Sequence, residues 1–298
     1  MSKRALVTSV ALLLLAPAIV AGAVGRLCFT RGDYIFIQEP NGRIRRLVKG
    51  YEPNISPDGQ TIAFVASTGE WPKSESHVNL LDVKSGSARP ISTLSRFQSF
   101  HPLWSPDGRQ LAVQLAIDHK PAFATVDPRT GDYHLIPSNL KSDFIWLNSW
   151  TSNGSSIVLN DLEYVYDLAL DGHIIKQLSI RELFGNVDIS SLTRFSFSTD
   201  GKLLLFNSAM VPDDVGIASL YLWDIDAQRL SRLTSDRIGA LDPKWLPAGD
   251  YIIFTGYVKG DYKPKTSIPS YRIYKVSVSG KAPTILVRDA ENASYSRR

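Results

Sequence analysis

Catalysis or metal binding in this chain would have to be built from five histidines, one cysteine and 29 acids. The histidines are His77, His101, His119, His134 and His173, and no pair has the H-x-x-x-H spacing that sets two imidazoles on one helix face. His134 and His173 follow turn glycines (G-D-Y-H and D-G-H) and read as surface. There is no G-x-S-x-G, so no nucleophile elbow. The most suggestive set is Glu52, Asn148, Asp242 and Asn292. Their carboxylate and amide oxygens, if they met on one axis, would be hard donors suited to Ca²⁺. These residues lie far apart in the chain, so only a repeating architecture would bring them together.

Such an architecture is present. EPNISPDGQTIAFVA (52–66), HPLWSPDGRQLAVQL (101–115), NSWTSNGSSIVLN (148–160), FSFSTDGKLLLFNS (195–208) and DPKWLPAGDYIIFTG (242–256) are variants of one pattern. Their turn glycines, Gly59, Gly108, Gly154, Gly201 and Gly249, are spaced by 49, 46, 47 and 48 residues. Each copy reads as strand, tight turn, apolar strand, variable loop, third strand, turn and fourth strand. A unit of about 47 residues and four strands is a propeller blade. Asp and Gly in the turn serve the backbone, since Gly permits positive φ and Asp bonds locally. Ile55, Trp104, Trp150, Phe197, Trp245 and Tyr295 share one repeat position, where a large apolar group packs blade against blade.

The ends complete a sixth unit. Gly25 to Phe29 aligns with the strand that follows the turn, and Tyr34 to Gln38 and Ile44 to Val48 supply the next two strands. Only the innermost strand is missing there. Ala293 to Ser296 aligns with Pro243 to Leu246, the start of a repeat. The expected fold is therefore all-β, a six-bladed β-propeller of four-stranded blades over 24–298. The C-terminal strand joins the N-terminal blade, and this closure leaves no open sheet edge.

The pattern P-x-W-S-P-D-G-x-x-[IL]-A-[FV], best seen in His101 to Val113 and clear again in Glu52 to Phe64, resembles the TolB-type propeller repeat. The resemblance covers about 24–298 and implies a propeller, here expected to stand alone without the additional N-terminal domain of TolB. It is specific for fold. The same repeats gate prolyl-oligopeptidase-like peptidases, which carry a separate hydrolase domain. Six-bladed lactonase-type enzymes hold a cation in an oxygen cage of the kind that the four oxygen-bearing residues suggest.

Propeller geometry places the starts of the inner strands and the loops between second and third strands on one surface. The inner-strand starts are Glu52, His101, Leu147 (beside Asn148), Arg194, Asp242 and Asn292; five of these six are polar, and they are expected to ring the channel mouth. Arg194 falls in the same ring as the oxygen donors and opposes a cation, so no resident cofactor is expected, with Ca²⁺ in the channel as the exception to test. The second loops are long. One contains Trp71, and another runs from Tyr257 to Ser270 with Tyr257, Tyr262, Lys259, Lys263 and Lys265. Trp71, Tyr257 and Tyr262 are candidate exposed anchors.

MSKRALVTSVALLLLAPAIVAGA reads as a secretory signal peptide over 1–23: a basic start, an apolar core and an A-x-A site. The alternative is an uncleaved membrane anchor, the one case in which a membrane contact is expected. Removing 1–23 takes the net charge from +4 to +2, since two bases and no acids are lost. A near-neutral chain without basic runs does not favour nucleic acid. The single Cys28 permits no intrachain disulfide and reads as a buried strand residue. The expectation is a monomeric, non-catalytic scaffold, periplasmic or secreted, that binds a protein or peptide of the cell envelope. The alternative is a propeller enzyme of hydrolase, lactonase or lyase type working at the channel mouth.

Overall fold

The computed structural model describes residues 25–69, 73–185, 187–210, 218–235, 237–258, 260 and 270–297, without the side chains of 209 and 210. The leader expected over 1–23, Trp71 and Tyr262 lie outside the described residues. Among those described, no helix is long and apolar enough to cross a membrane.

Six antiparallel sheets form the ring. Blade 1 runs outward through Tyr51–Ile55, Thr61–Thr68, Glu75–Asp82 and Ala88–Pro90. Blade 2 is Gln98–Trp104, Leu111–Ile117, Lys120–Val126 and Tyr133–Ile136, and blade 3 is Trp146–Trp150, Ser156–Asn160, Tyr164–Ala169 and Ile174–Ser179. Blade 4 is Phe195–Phe197, Leu203–Met210, Ser219–Asp224 and Arg229–Arg232. Blade 5 is Ile238–Trp245, Tyr251–Val258, Arg272–Ser277 and Thr284–Arg288. Blade 6 is split: Glu291–Tyr295 is innermost, followed by Leu27–Arg31, Tyr34–Gln38 and Ile44–Lys49. The expected closure is observed, with Leu27 opposite Tyr295, Cys28 opposite Ser294 and Thr30 opposite Glu291. Beyond the strand, the Ser296 N–H donates to the Arg26 carbonyl at 2.9 Å and the Arg26 N–H to Ser296 Oγ at 2.7 Å, and the Arg297 N–H donates to the Pro57 carbonyl of blade 1 at 2.9 Å.

The apolar side chains gather between blades. Ala63, Val65, Val78 and Leu80 of blade 1 pack on Leu111, Val113, Ala124 and Val126 of blade 2. Five more such clusters follow around the ring, one at each junction of neighbouring blades. Cys28 belongs to the junction of blades 6 and 1, and burial pushes its thiol up to about 12, so it is an inert apolar group. The shared aromatic position works as expected and adds a polar contact. The indole N–H of Trp104 donates to the Asn54 carbonyl at 3.0 Å, that of Trp150 to Leu103 at 2.9 Å, and that of Trp245 to Ser196 at 3.2 Å. Each acceptor lies on the preceding blade's inner strand.

The Ser-Pro-Asp-Gly turns are closed by their own side chains. Ser105 Oγ donates to Asp107 Oδ1 at 2.7 Å, and that carboxylate accepts the Arg109 N–H at 3.0 Å. These contacts hold Asp107 below the usual carboxylate range, led by the Ser105 hydrogen bond. Gly108 sits at φ +72°, where an added Cβ would stand 3.3 Å from Pro57 Cδ, and Gly154 faces Pro106 Cδ in the same way at 3.4 Å, so these turns stack on the preceding ones.

Blade 4 departs from the repeat. Its inner strand has only three residues, preceded by the short helix α1 (Ile180–Phe184) and the pair Val187–Asp188, which bonds to Met210 and Ala209. Ser179 caps α1 by accepting from the Glu182 N–H, and Phe184 packs 4.5 Å from Phe206. Between Asp188 and Phe195 the chain makes an arch instead of continuing the strand.

Candidate functional site

Every inner strand except that of blade 4 carries a β-bulge near its channel end. In four of them one residue of the bulge is left-handed: Glu52 (φ 50°), His101 (49°), Asp242 (47°) and Asn292 (52°). Proline follows the first three of these, and a bulge re-aims its side chain and breaks the ladder. Left-handed backbone is costly for residues with a Cβ. Its recurrence at one repeat position makes it a property of the blade, and its effect is to turn these side chains into the channel.

The result is a cavity of about 290 Å³. Glu52, His101, Asn148, Arg194, Asp242 and Asn292 all line it, so the six ring positions named from the sequence meet in one wall. Much of their polarity is already engaged between blades. The Glu52 carboxylate accepts the His101 backbone N–H at 2.8 Å and lies 3.0 Å from the His101 Nδ1. Asn148 Oδ1 accepts the Phe195 N–H at 3.0 Å while its amide donates to Asn160 Oδ1 at 2.8 Å. The Asn292 N–H donates to Thr255 Oγ1 at 2.9 Å. Bulges free backbone N–H groups from the ladder, and neighbouring blades supply acceptors for them.

Burial alone would raise the pKa of Glu52. The hydrogen bond from His101 and the positive charges of His101 and Arg194 outweigh burial and hold the carboxyl below its ordinary range. An ionised carboxylate only accepts, so His101 Nδ1 carries a proton in either charge state of the ring, and in the neutral ring Nε2 is the acceptor. Glu291, also in the wall, is raised by burial.

Lining residues beyond those named from the sequence include Lys244, Leu192 and Glu291. Lys244 stands two residues after Asp242, on the same strand face, and its Nζ lies 3.0 Å from Asp242 Oδ2 and 3.0 Å from the Ala293 carbonyl. The period-2 alternation of an inner strand was the available signal, since the same reasoning puts Asn54 and Leu103 in the wall. Leu192, 57% exposed, projects from the blade 4 arch, which no other repeat contains. Glu291 precedes Asn292 at the start of the closing strand.

Tyr257 requires a correction: it is not an exposed anchor. It lies in the strand Tyr251–Val258 and is only 4% exposed. Its ring covers Gly239, its cross-strand partner, and meets Tyr271 edge-on at 6.0 Å. The oxygen cage for Ca²⁺ is also not formed by the ring: Glu52 is bonded to His101, Asp242 to Lys244, and the Asn148 oxygen to a backbone N–H. Among the described residues no group of three or more His, Cys, Asp or Glu is arranged to hold a metal.

A more open hollow of about 470 Å³ lies at the rim of blade 6, among Arg26, Arg43 and Arg45. Glu39 neutralises part of it, at 2.7 Å from Arg26 and 3.4 Å from Arg45. Arg26 Nη1 reaches the Gly59 carbonyl, so this hollow belongs to the turn face, away from the channel mouth.

Comparison with known proteins bears on the fold. No family model matches the chain. An uncharacterized peptidase, YuxL of Bacillus subtilis, is 25% identical over 227 residues, 71% of this chain. The chain spans 30% of that relative's length. TolB of Acinetobacter baumannii superposes with a TM-score of 0.65 at 15% identity, over 91% of this chain and 66% of that one. A putative TolB of Agrobacterium tumefaciens gives 0.62 at 18% identity, over 90% of each chain. An oligogalacturonate lyase in complex with manganese gives 0.51 at 13% identity, over 86% of this chain and 70% of that one. In its fold, this chain is a TolB-type six-bladed β-propeller.

Proposed function

We propose that the protein is an exported binding propeller that holds a protein or peptide of the cell envelope against its channel face, in the periplasm or outside the cell. The observation that carries this reading is the convergence of six polar residues at the starts of the inner strands on one open cavity, in which Glu52 and Asp242 are bonded to neighbouring groups. A wall organised in this way keeps its shape without a ligand, which lowers the cost of binding. Leu192 adds an exposed apolar group at the same mouth. The reading includes cleavage of the leader over 1–23, and the likeness in fold to TolB supports it.

A second reading, a propeller enzyme at the same mouth, is favoured by one contact. Glu52 orients His101, a cavity-lining residue, and holds Nδ1 protonated, so that in the neutral ring Nε2 is the acceptor a general base requires.

Site-directed photo-crosslinking in the native envelope tests the binding reading. A crosslinker at Leu192 on the channel face is compared with one at Ile175, 50% exposed on the outermost strand of blade 3. A discrete adduct from position 192 and none from 175 is expected. Adducts from 175 alone would overturn the assignment of the face.

A further inference from the structure

The channel wall is electrically lopsided. Blade 4 contributes Arg194, while blades 1 and 6, across the ring, contribute Glu52 and Glu291. On blade 5, Asp242 and Lys244 neutralise each other. In a six-membered ring, blade 1 is diametrically opposite blade 4.

Arg194 is set in place before any ligand arrives. Its Nη1 donates to the Ser191 carbonyl at 2.7 Å and the Thr193 carbonyl at 3.0 Å. Its backbone N–H donates to Asn207 Oδ1, whose amide in turn holds the Leu192 carbonyl. Thr193 and Ser190 close the arch on each other. Among the described residues, Nε and Nη2 have no partner. A guanidinium pinned through one nitrogen presents its remaining donors as a planar fork, the shape that receives a carboxylate.

The opposite side offers acceptors. The Glu291 carboxyl lines the cavity and has no ion pair among the described residues; burial strips water from it and raises its pKa, a desolvation cost that an adjacent cation would offset. In the neutral ring of His101, Nδ1–H is committed to Glu52 and Nε2 is the acceptor.

We propose that the channel cavity binds a small zwitterion, a free amino acid or a di- or tripeptide, with its carboxylate on Arg194 and its ammonium towards Glu291 and His101 Nε2. The volume of about 290 Å³ is at the lower end of small-ligand pockets, roughly 300 Å³. The inference rests on the reading that the mouth is a binding site and names its ligand class.

The test is calorimetric titration of the mature chain with glycylglycine, its N-acetyl form, its C-terminal amide and acetate. Glycylglycine should bind, and each singly blocked form and acetate should bind about tenfold or more weakly, the cost of one charge-assisted contact. In Arg194→Gln the difference between glycylglycine and its amide should vanish; in Glu291→Gln the difference from the N-acetyl form should vanish. Arg194→Lys, which keeps the charge and loses the fork, should fall between wild type and Arg194→Gln and serves if the Gln variant does not fold. No saturable binding of glycylglycine below about 10 mM, or equal binding of the blocked forms, would overturn the proposal. A partner still crosslinked at position 192 in that case would leave the envelope-binding reading standing.

Discussion

Glu52 grips His101 twice: one carboxylate oxygen takes the backbone N–H at 2.8 Å, and the other faces the ring Nδ1 at 3.0 Å. The two residues are 49 positions apart, occupy the same place in consecutive repeats, and both have left-handed backbone. The contact therefore joins blade 1 to blade 2 and also holds the proton on Nδ1 of the imidazole.

This pair makes stability depend on acid. The folded pKa of Glu52 lies below its ordinary value. The stabilisation it provides is thus complete above the unfolded pKa and is lost as pH falls through the folded one. Glu52→Gln should lose about 1–3 kcal/mol at pH 7 and should show a shallower decline of stability below pH 4.5. Urea melts of both proteins from pH 7 to pH 3 check this; equal slopes would show that Glu52 is not held ionised by His101.

Glu291 should behave in the opposite sense. Burial raises its folded pKa, so its protonated form is favoured in the native state. That contribution is present below the unfolded pKa and is lost as pH rises through the folded one. Glu291→Gln should melt higher than wild type at pH 7, and the two should converge near pH 4. A lower melting temperature at neutral pH would mean that the carboxylate has a structural partner.

The indole N–H contacts predict a small, repeated cost. Trp104→Phe removes the donor to the Asn54 carbonyl and leaves an aromatic ring between blades 1 and 2. It should destabilise by about 1–2 kcal/mol. Trp245→Phe, at the junction of blades 4 and 5, should cost a similar amount, and the two should add because the sites share no partner. Guanidinium melts of the two single variants and the double variant measure this.

Gly108→Ala tests the turn face. Position 108 has φ +72°, and the new methyl would press on Pro57 of the preceding blade at 3.3 Å. A loss of about 1–2 kcal/mol is expected. Gly280→Ala, at φ +78° with nothing within 4 Å, separates the two causes, since it should show the backbone penalty alone.

The ring was legible in the sequence because its punctuation is chemical. Gly59, Gly108, Gly154, Gly201 and Gly249 mark turns that need positive φ, and Ala293 to Ser296 match an inner strand even without a following turn. The six channel positions followed from the same alignment, since equivalent repeat positions occupy equivalent places on the axis. Blade 4's arch was not legible, because an insertion has no counterpart in the other repeats. Its one local signal, Ser179 three residues before Glu182, is a helix start that went unread. Tyr257 was misplaced for a physical reason: a tyrosine near a long loop reads as exposed, but Gly239 opposite it leaves space for the ring to lie flat.

The split blade also sets an order of events during folding. Glu291–Tyr295 must find Leu27–Arg31 across more than 250 intervening residues, as the 261-residue separation of Thr30 and Glu291 illustrates. Blades 1 to 5 are each made of neighbouring strands, so they can form as the chain emerges, whereas blade 6 waits until position 295 has been made. Until then, Leu27–Arg31 presents an unpaired edge, and the apolar groups that will meet Ala293 are uncovered. Such non-local closure is slow, and it exposes the chain to mispairing while it waits. The ring is a clasp that fastens last, and a nascent chain remains extensible, and open to chaperones, for as long as the clasp is undone.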